Sequence, residues 1–202
     1  MPLRTEPPSS VVGAVPSRRV IVVGGGAAGF FAAIACKEAD PAASVSILEG
    51  AAAPLNKVRI SGGGRCNVTH NQPDPALLIH NYPRGARALR GPFTRFGPAQ
   101  TIEWFAGRGV KLKAEADGRM FPVTDNSQTI IDCLVEAATG LGVDIRTRTA
   151  VTGVDAADGG GFTVQLRDGS SLDADNAVIA TGSAPASYKW AADLGHTIEA
   201  PV

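Results

Sequence analysis

Three cysteines, three histidines and two tryptophans in 202 residues leave little material for several kinds of chemistry. Cys36, Cys66 and Cys133 are odd in number and far apart, with no C-x-x-C pair. That pattern argues against a disulfide framework or a zinc ribbon and suits a reducing, cytoplasmic setting. His70, His80 and His196 stand at no metal-ligand spacing, so no metal site is expected. Excess charge is missing as well: 19 Lys and Arg balance 19 Asp and Glu, and no overall field draws the chain to nucleic acid or anionic lipid. Long hydrophobic runs are also absent. Residues 1–17 hold Pro2, Pro7, Pro8 and Pro16, and their longest apolar run, Val11 to Val15, is broken by Gly13. It is too short for a signal-peptide core, and nothing later approaches a membrane span. Residues 1–17 are expected to form a flexible tail, and the chain contains no internal repeat.

What is abundant is apolar residues, at 44%, and glycine, at 24 residues, enough to bury the core of one ordinary domain. Val20 to Val23 is a β-branched run ending in glycine, which suits a strand buried on both faces. Ala27 to Ala39 reads as a helix stopped by Asp40-Pro41, and Val45 to Glu49 as a second strand. Strand, glycine turn, helix and strand make a βαβ unit. Pro98 opens a further helix closed by Gly107 or Gly109, and Val110 to Ala114 and Arg119 to Val123 read as strands around Asp117-Gly118. Ser127 caps a helix with Ile130, Ile131, Leu134 and Ala138 on one face, ended by Gly140. Strands follow at Val143 to Thr147, Val151 to Asp155, Phe162 to Leu166 and Ala177 to Ala180, then a short helix from Tyr188 to Leu194.

The motif with the most chemistry is Gly24-x-Gly26-x-x-Gly29, directly after a strand and opening a helix, with Glu49 ending the next strand about 20 residues further on. The first glycine permits the tight turn, the second lets the backbone approach a pyrophosphate, and the third lets the helix pack on the sheet. The helix N-terminus supplies N–H groups and partial positive charge, and Glu49 is placed to hold ribose hydroxyls.

This fingerprint serves FAD and NAD(P) alike, and two further features favour FAD. In Ile60-Ser61-Gly62-Gly63-Gly64-Arg65-Cys66-Asn67, small residues can aim successive N–H groups at an anion, with Arg65 adding positive charge and Asn67 a neutral donor and acceptor. The strand Ala177 to Ala180 runs into Thr181-Gly182, an A-T-G turn similar to the one that returns the chain beside FAD in flavoproteins of the glutathione-reductase type.

Val20-Ile21-Val22-Val23-Gly24-Gly25-Gly26-Ala27-Ala28-Gly29, the stretch Ile60 to Asn67, Gly118-Arg119-Met120-Phe121-Pro122 and Leu194-Gly195-His196-Thr197-Ile198 together resemble the bacterial NAD(P)/FAD-dependent oxidoreductases, the aminoacetone-oxidase-family FAD-binding enzymes. The I-S-G-G-G-R-C-N string is the most specific part. The resemblance runs from about Arg18 to the C-terminus and implies FAD-binding roles for Gly24, Gly26, Ala28, Gly29, Glu49, Arg65, Asn67, Val151 and Gly182. Val151 enters because the matching strand of related flavoproteins offers backbone groups to adenine. The expected architecture is α/β: a Rossmann-like, glutathione-reductase-type FAD-binding domain over residues 18–202, with a parallel sheet and a β-meander. It would be incomplete at its C-terminal side, as the N-terminal part of a longer flavoprotein.

Redox would then reside on the flavin, acting on a small-molecule substrate, with NAD(P)H as a transient reductant. No catalytic side chain is identified. Cys66 reads as a small residue packed near the cofactor, and Cys36 and Cys133 as core. Arg84, Arg87, Arg90 and Arg95 read as a solvated helix face, and neither nucleic acid nor membrane is an expected partner. The alternatives are a non-catalytic dinucleotide-binding fragment and an NAD(P)-dependent dehydrogenase.

Overall fold

The computed structural model describes residues 17–200, so almost all of the expected tail lies outside the described residues. Strand β1 (Arg19–Val23) leads into helix α1 (Ala27–Ala39) and strand β2 (Ser44–Leu48). Helix α2 (Asn56–Gly64), strand β3 (Thr69–His70), helix α3 (Pro75–Leu78), helix α4 (Ala86–Arg95) and helix α5 (Pro98–Ala106) follow. A hairpin of β4 (Leu112–Ala114) and β5 (Arg119–Pro122) precedes α6 (Ser127–Gly140) and β6 (Asp144–Arg146). The chain closes with β7 (Val151–Ala156), β8 (Phe162–Leu166), β9 (Ser171–Ala174), β10 (Asn176–Ile179) and α7 (Pro185–Asp193).

The central sheet has the order β10-β1-β2-β6 and every pairing in it is parallel. Because side chains alternate across a strand, β1 feeds two cores at once. Val20 and Val22, with Val45 and Ile47 of β2, pack on α1 and α6 through Phe30, Ala33, Ile34, Ile130 and Leu134. Ile21, Val23 and Leu48 face the other way, onto Val154, Val164 and Ala174 of the antiparallel meander β7-β8-β9. The result is three layers, helices over a parallel sheet over a meander, the Rossmann-type α/β arrangement that the βαβ pattern and the strand-rich C-terminal part imply.

Several boundaries differ from those expected, each for a local reason. The stretch before the glycine run is helical: α2 starts at Asn56, and non-helical backbone enters only at Ser61, Gly62 and Gly63. Asn126, not Ser127, caps α6, its side chain accepting from Gln128 N at 2.9 Å. Ser127 is instead buried as the first helical residue and donates its hydroxyl to Arg59 O at 2.8 Å, fastening α6 to α2. The last helix begins at Pro185, a residue preorganised for the first helical position. Strand β9 has one large apolar residue, Leu172, and so carries too weak an alternation to be seen beforehand.

Phe30 is fully buried between α1 and the sheet, and truncating a phenylalanine there leaves a cavity as well as losing its transfer free energy. Phe30→Ala should therefore lower stability by about 3–5 kcal/mol. Urea denaturation checks this, and a loss below about 1 kcal/mol would show that the helix layer does not depend on this side chain.

Candidate functional site

The carboxyl ends of β1, β2 and β10 converge on one spot. Gly24 N donates to Leu48 O at 2.9 Å and Ala180 N to Val23 O at 2.8 Å, so the Gly24–Gly26 turn, Glu49 and Thr181-Gly182 lie side by side. Backbone contact there is too close for side chains. A Cβ on Gly29 would sit 1.9 Å from Gly24 O, and one on Gly24, whose φ is +110°, would sit 2.5 Å from Ala180 O. Gly26 is different. Its φ is −87°, open to any residue, and an ideal Cβ there meets nothing within 4 Å. Protein packing therefore gives no reason for glycine at 26, whereas a ligand brought against its backbone does.

These residues line a cleft of about 760 Å³, within the range of small-molecule and cofactor sites. One side of it is polar: Gly24 to Ala28, Glu49, Lys57, Ser61, Asn67 and Thr181-Gly182. The other is apolar, with Phe31, Val68, Phe96, Phe105, Ile130 and Leu134. Helix α1 opens on the polar side with no side-chain cap and no acid in its first turn, leaving its first N–H groups free for an anion. Glu49 accepts from Gly25 N at 2.9 Å through one oxygen and from Ala51 N at 2.7 Å through the other. That fixes the carboxylate at the end of β2 and leaves acceptor capacity for hydroxyl donors. The Thr181 hydroxyl is buried without a hydrogen-bond partner on the same wall, the kind of orphan that a bound polar group satisfies.

Of the residues implied by resemblance, Gly24, Gly26, Ala28, Glu49, Asn67 and Gly182 all line this cleft. Gly29 lies beneath it, holding α1 against the turn. Val151 starts β7 and packs with the meander core, away from the lining. Arg65 is also outside the lining. Its guanidinium bonds Glu115, approaches Asp125 at 3.7 Å and stacks 4.0 Å from the centroid of the Phe121 ring. The hydrogen bond to Glu115 holds Arg65 still more firmly protonated, and one from Lys113 holds the Asp125 carboxyl below its ordinary range. With two acids beside it, Arg65 has little charge to offer an anion across the loop.

The loop itself does reach the cleft, through Ser61, Cys66 and Asn67. Gly62, at φ +56°, packs so tightly that a Cβ would lie 2.7 Å from the Phe121 ring. Burial pushes the Cys66 thiol up, against a smaller opposing effect of its hydrogen bond with Ser61, so it stays a neutral packed group. Lys57 carries no motif that would single it out in the sequence. Lys57 donates to Ser183 Oγ at 3.0 Å, joining α2 to the A-T-G turn across the rim. Its position one helical turn before Ser61 was the available signal.

Two curated proteins match most of the chain. The 3-dehydro-bile acid delta(4,6)-reductase of Clostridium scindens is 30% identical over 178 residues, 84% of this chain and 42% of that protein. The ribosomal RNA dihydrouridine synthase of Escherichia coli is 30% identical over 159 residues, 75% of this chain and 38% of that protein. The chain thus spans about two fifths of the length of these relatives. Among solved structures, Thermovibrio ammonificans THI4 superposes with a TM-score of 0.59 at 13% identity, over 90% of this chain and 64% of that one. The 3-ketosteroid-delta4-(5alpha)-dehydrogenase of Rhodococcus jostii RHA1 gives 0.58 at 16% identity, over 87% and 47%. At such identities they bear on the fold alone. The family model described as the HI0933-like protein Rossmann domain matches residues 18–201, and this chain belongs to that family of FAD-binding Rossmann proteins.

Proposed function

We propose that this chain is the cofactor-holding part of an FAD-dependent reductase that saturates a carbon–carbon double bond conjugated to a carbonyl. The observation that carries the cofactor assignment is the uncapped N-terminus of α1 facing the open space beside Gly26. The reaction class is supported by the two curated relatives, whose names share one transformation: a delta(4,6)-reductase and a dihydrouridine synthase each remove a ring double bond. No helix among the described residues is long and apolar enough to cross a membrane.

FAD, when bound, would supply hydride transfer to one carbon of that double bond, with NAD(P)H as the source of electrons and solvent water as the source of the proton that the other carbon takes up. The chain's own residues do the holding. Gly24, Gly26 and Ala28 would present backbone to the pyrophosphate, Glu49 would take ribose hydroxyls, and Asn67, Thr181 and Gly182 would bound the polar wall. Phe31, Phe96 and Phe105 make the other wall apolar. Glu49, Lys57 and Cys66 are the titratable groups of the lining; the first is bonded to two backbone N–H groups, the second to Ser183, and burial keeps the third neutral. Redox is therefore assigned to the flavin, and no acid–base step to the polar wall. Gly29 and Arg65 act from behind, one seating α1 and the other holding the Ser61–Asn67 loop by its outer side.

The reaction is tested with FAD-loaded protein and NADPH under anaerobic conditions, offering a 3-oxo-4-ene steroid and a uridine-containing RNA in separate trials. One of the two should gain H₂ by mass spectrometry; oxidation of NADPH with neither product reduced would contradict the reaction class. Gly26→Val should weaken FAD binding at least about tenfold, or 1.4 kcal/mol, without lowering the apo-protein's thermal midpoint. Unchanged affinity on titration would move the cofactor away from this turn. Arg65→Ala should also weaken FAD binding, by loosening the loop, and the loss should be the same at low and high salt. A loss that grows as salt falls would place the charge of Arg65 on the cofactor.

A further inference from the structure

A dinucleotide carries a negative charge on each phosphate of its pyrophosphate, and the cleft must answer both. The free N-terminus of α1 contributes about half an elementary charge. Glu49, on the same polar wall, is itself negative, and Arg65 is neutralised by Glu115 and Asp125 outside the lining. Among the described residues that line the cleft, Lys57 is the single cation. It pairs with no carboxylate among the described residues, whereas Lys113 and Lys189 both do.

The backbone sets that ammonium across the glycine turn. Helix α2 starts from Leu55, a buried leucine held at φ +60°, a left-handed conformation that leucine keeps only where its surroundings impose it. The hydrogen bond from Leu55 N to Gly25 O, at 2.8 Å, ties the start of α2 to the middle of the turn. On the other flank, Ala180 N bonds Val23 O at 2.8 Å and the Thr181 backbone packs against Gly24. The Lys57 side chain reaches from the first flank to the second, where Nζ donates to Ser183 Oγ at 3.0 Å. A Cβ on Gly182 would stand 3.4 Å from the same Nζ and meet nothing else among the described residues within 4 Å.

We propose that Lys57 is the phosphate-binding cation of the cleft, its ammonium leaving Ser183 Oγ for an oxygen of the cofactor's pyrophosphate when the cofactor binds. This rests on the reading of the cleft as a dinucleotide site and adds the counter-charge that reading lacks. The partners of the two charged residues on the wall favour it. Glu49 is held by the N–H groups of Gly25 and Ala51, so it does not cancel the lysine. Lys57 is held by a neutral, exposed hydroxyl, a partner it loses little by giving up, whereas an anionic oxygen makes a stronger, charge-assisted bond. A point charge on a flexible stem suits that exchange, because it can follow an oxygen without the planar match that a guanidinium favours.

The test is calorimetric titration of FAD and of ADP, which has the pyrophosphate but no flavin, into the apo-protein across a salt series. Wild type is compared with Lys57→Gln and Ser183→Ala. Lys57→Gln should weaken both ligands at least about tenfold at low salt, with a loss that shrinks as salt rises, and should leave the thermal midpoint of the apo-protein unchanged. Ser183→Ala removes the resting partner and keeps the cation, so it should bind FAD as tightly as wild type or more tightly. Unchanged FAD affinity in Lys57→Gln would overturn the proposal. Equal losses in the two variants would also overturn it, because they would make the pair a structural clasp between α2 and the A-T-G turn. So would a loss for FAD with none for ADP, which would set the ammonium at the flavin end. In each of these results wild type still binds FAD, and this inference fails alone. If wild type binds neither ligand, the dinucleotide reading fails and this inference with it.

Discussion

The close approach of Gly29 to Gly24 O, with 1.9 Å where a Cβ would stand, sets the geometry that the other elements follow. It seats the first turn of α1 directly over the end of β1. Only with that seating do the free N–H groups of the helix point into the same space as the ends of β2 and β10. A side chain at either glycine would push helix and turn apart by more than the packed Phe30 and Ile34 could follow. The turn is locked from the other side too, because Gly24 abuts Ala180 O. One steric constraint therefore joins three strand ends, a helix N-terminus and the A-T-G segment.

Everything else at the cleft is a second layer of support. Glu49 commits one oxygen to Gly25 and the other to Ala51, which makes it part of the turn as well as a group facing the cleft. The loop from Ser61 to Asn67 is held from outside: Gly62 lies against the Phe121 ring, and Arg65 stacks on the same ring while bonding Glu115. Its inner side is left free to present Ser61, Cys66 and Asn67. A loop fixed by its back can offer a preformed surface, with less ordering on binding than a mobile one requires.

The βαβ unit is legible in the sequence because local signals coincide there: a β-branched run, three glycines at fixed spacing, an alanine-rich helix and an acid at the next strand end. Six residues named from resemblance meet in one cleft for the same reason. What is not legible depends on distant partners. Nothing near Arg65 announces that its counter-charges come from the hairpin at Glu115 and from Asp125, so its guanidinium reads as free in the sequence and is paired in the fold. Lys57 becomes visible only when α2 and the end of β10 come together. The apolar wall needs Phe31, Phe96 and Phe105 from three separate segments, none of which carries a motif.

Whether the turn at Gly24 to Gly29 holds FAD is decided by the nucleotide that the folded protein selects. The protein is purified, reconstituted with a mixture of FAD, FMN, NAD and NADP, and freed of unbound nucleotide, and what heat then releases is identified by chromatography. FAD should be recovered in a stoichiometric amount, with a flavin absorption spectrum perturbed by the protein before release. Recovery of a nicotinamide dinucleotide in its place, or of no nucleotide from folded protein, would contradict the assignment.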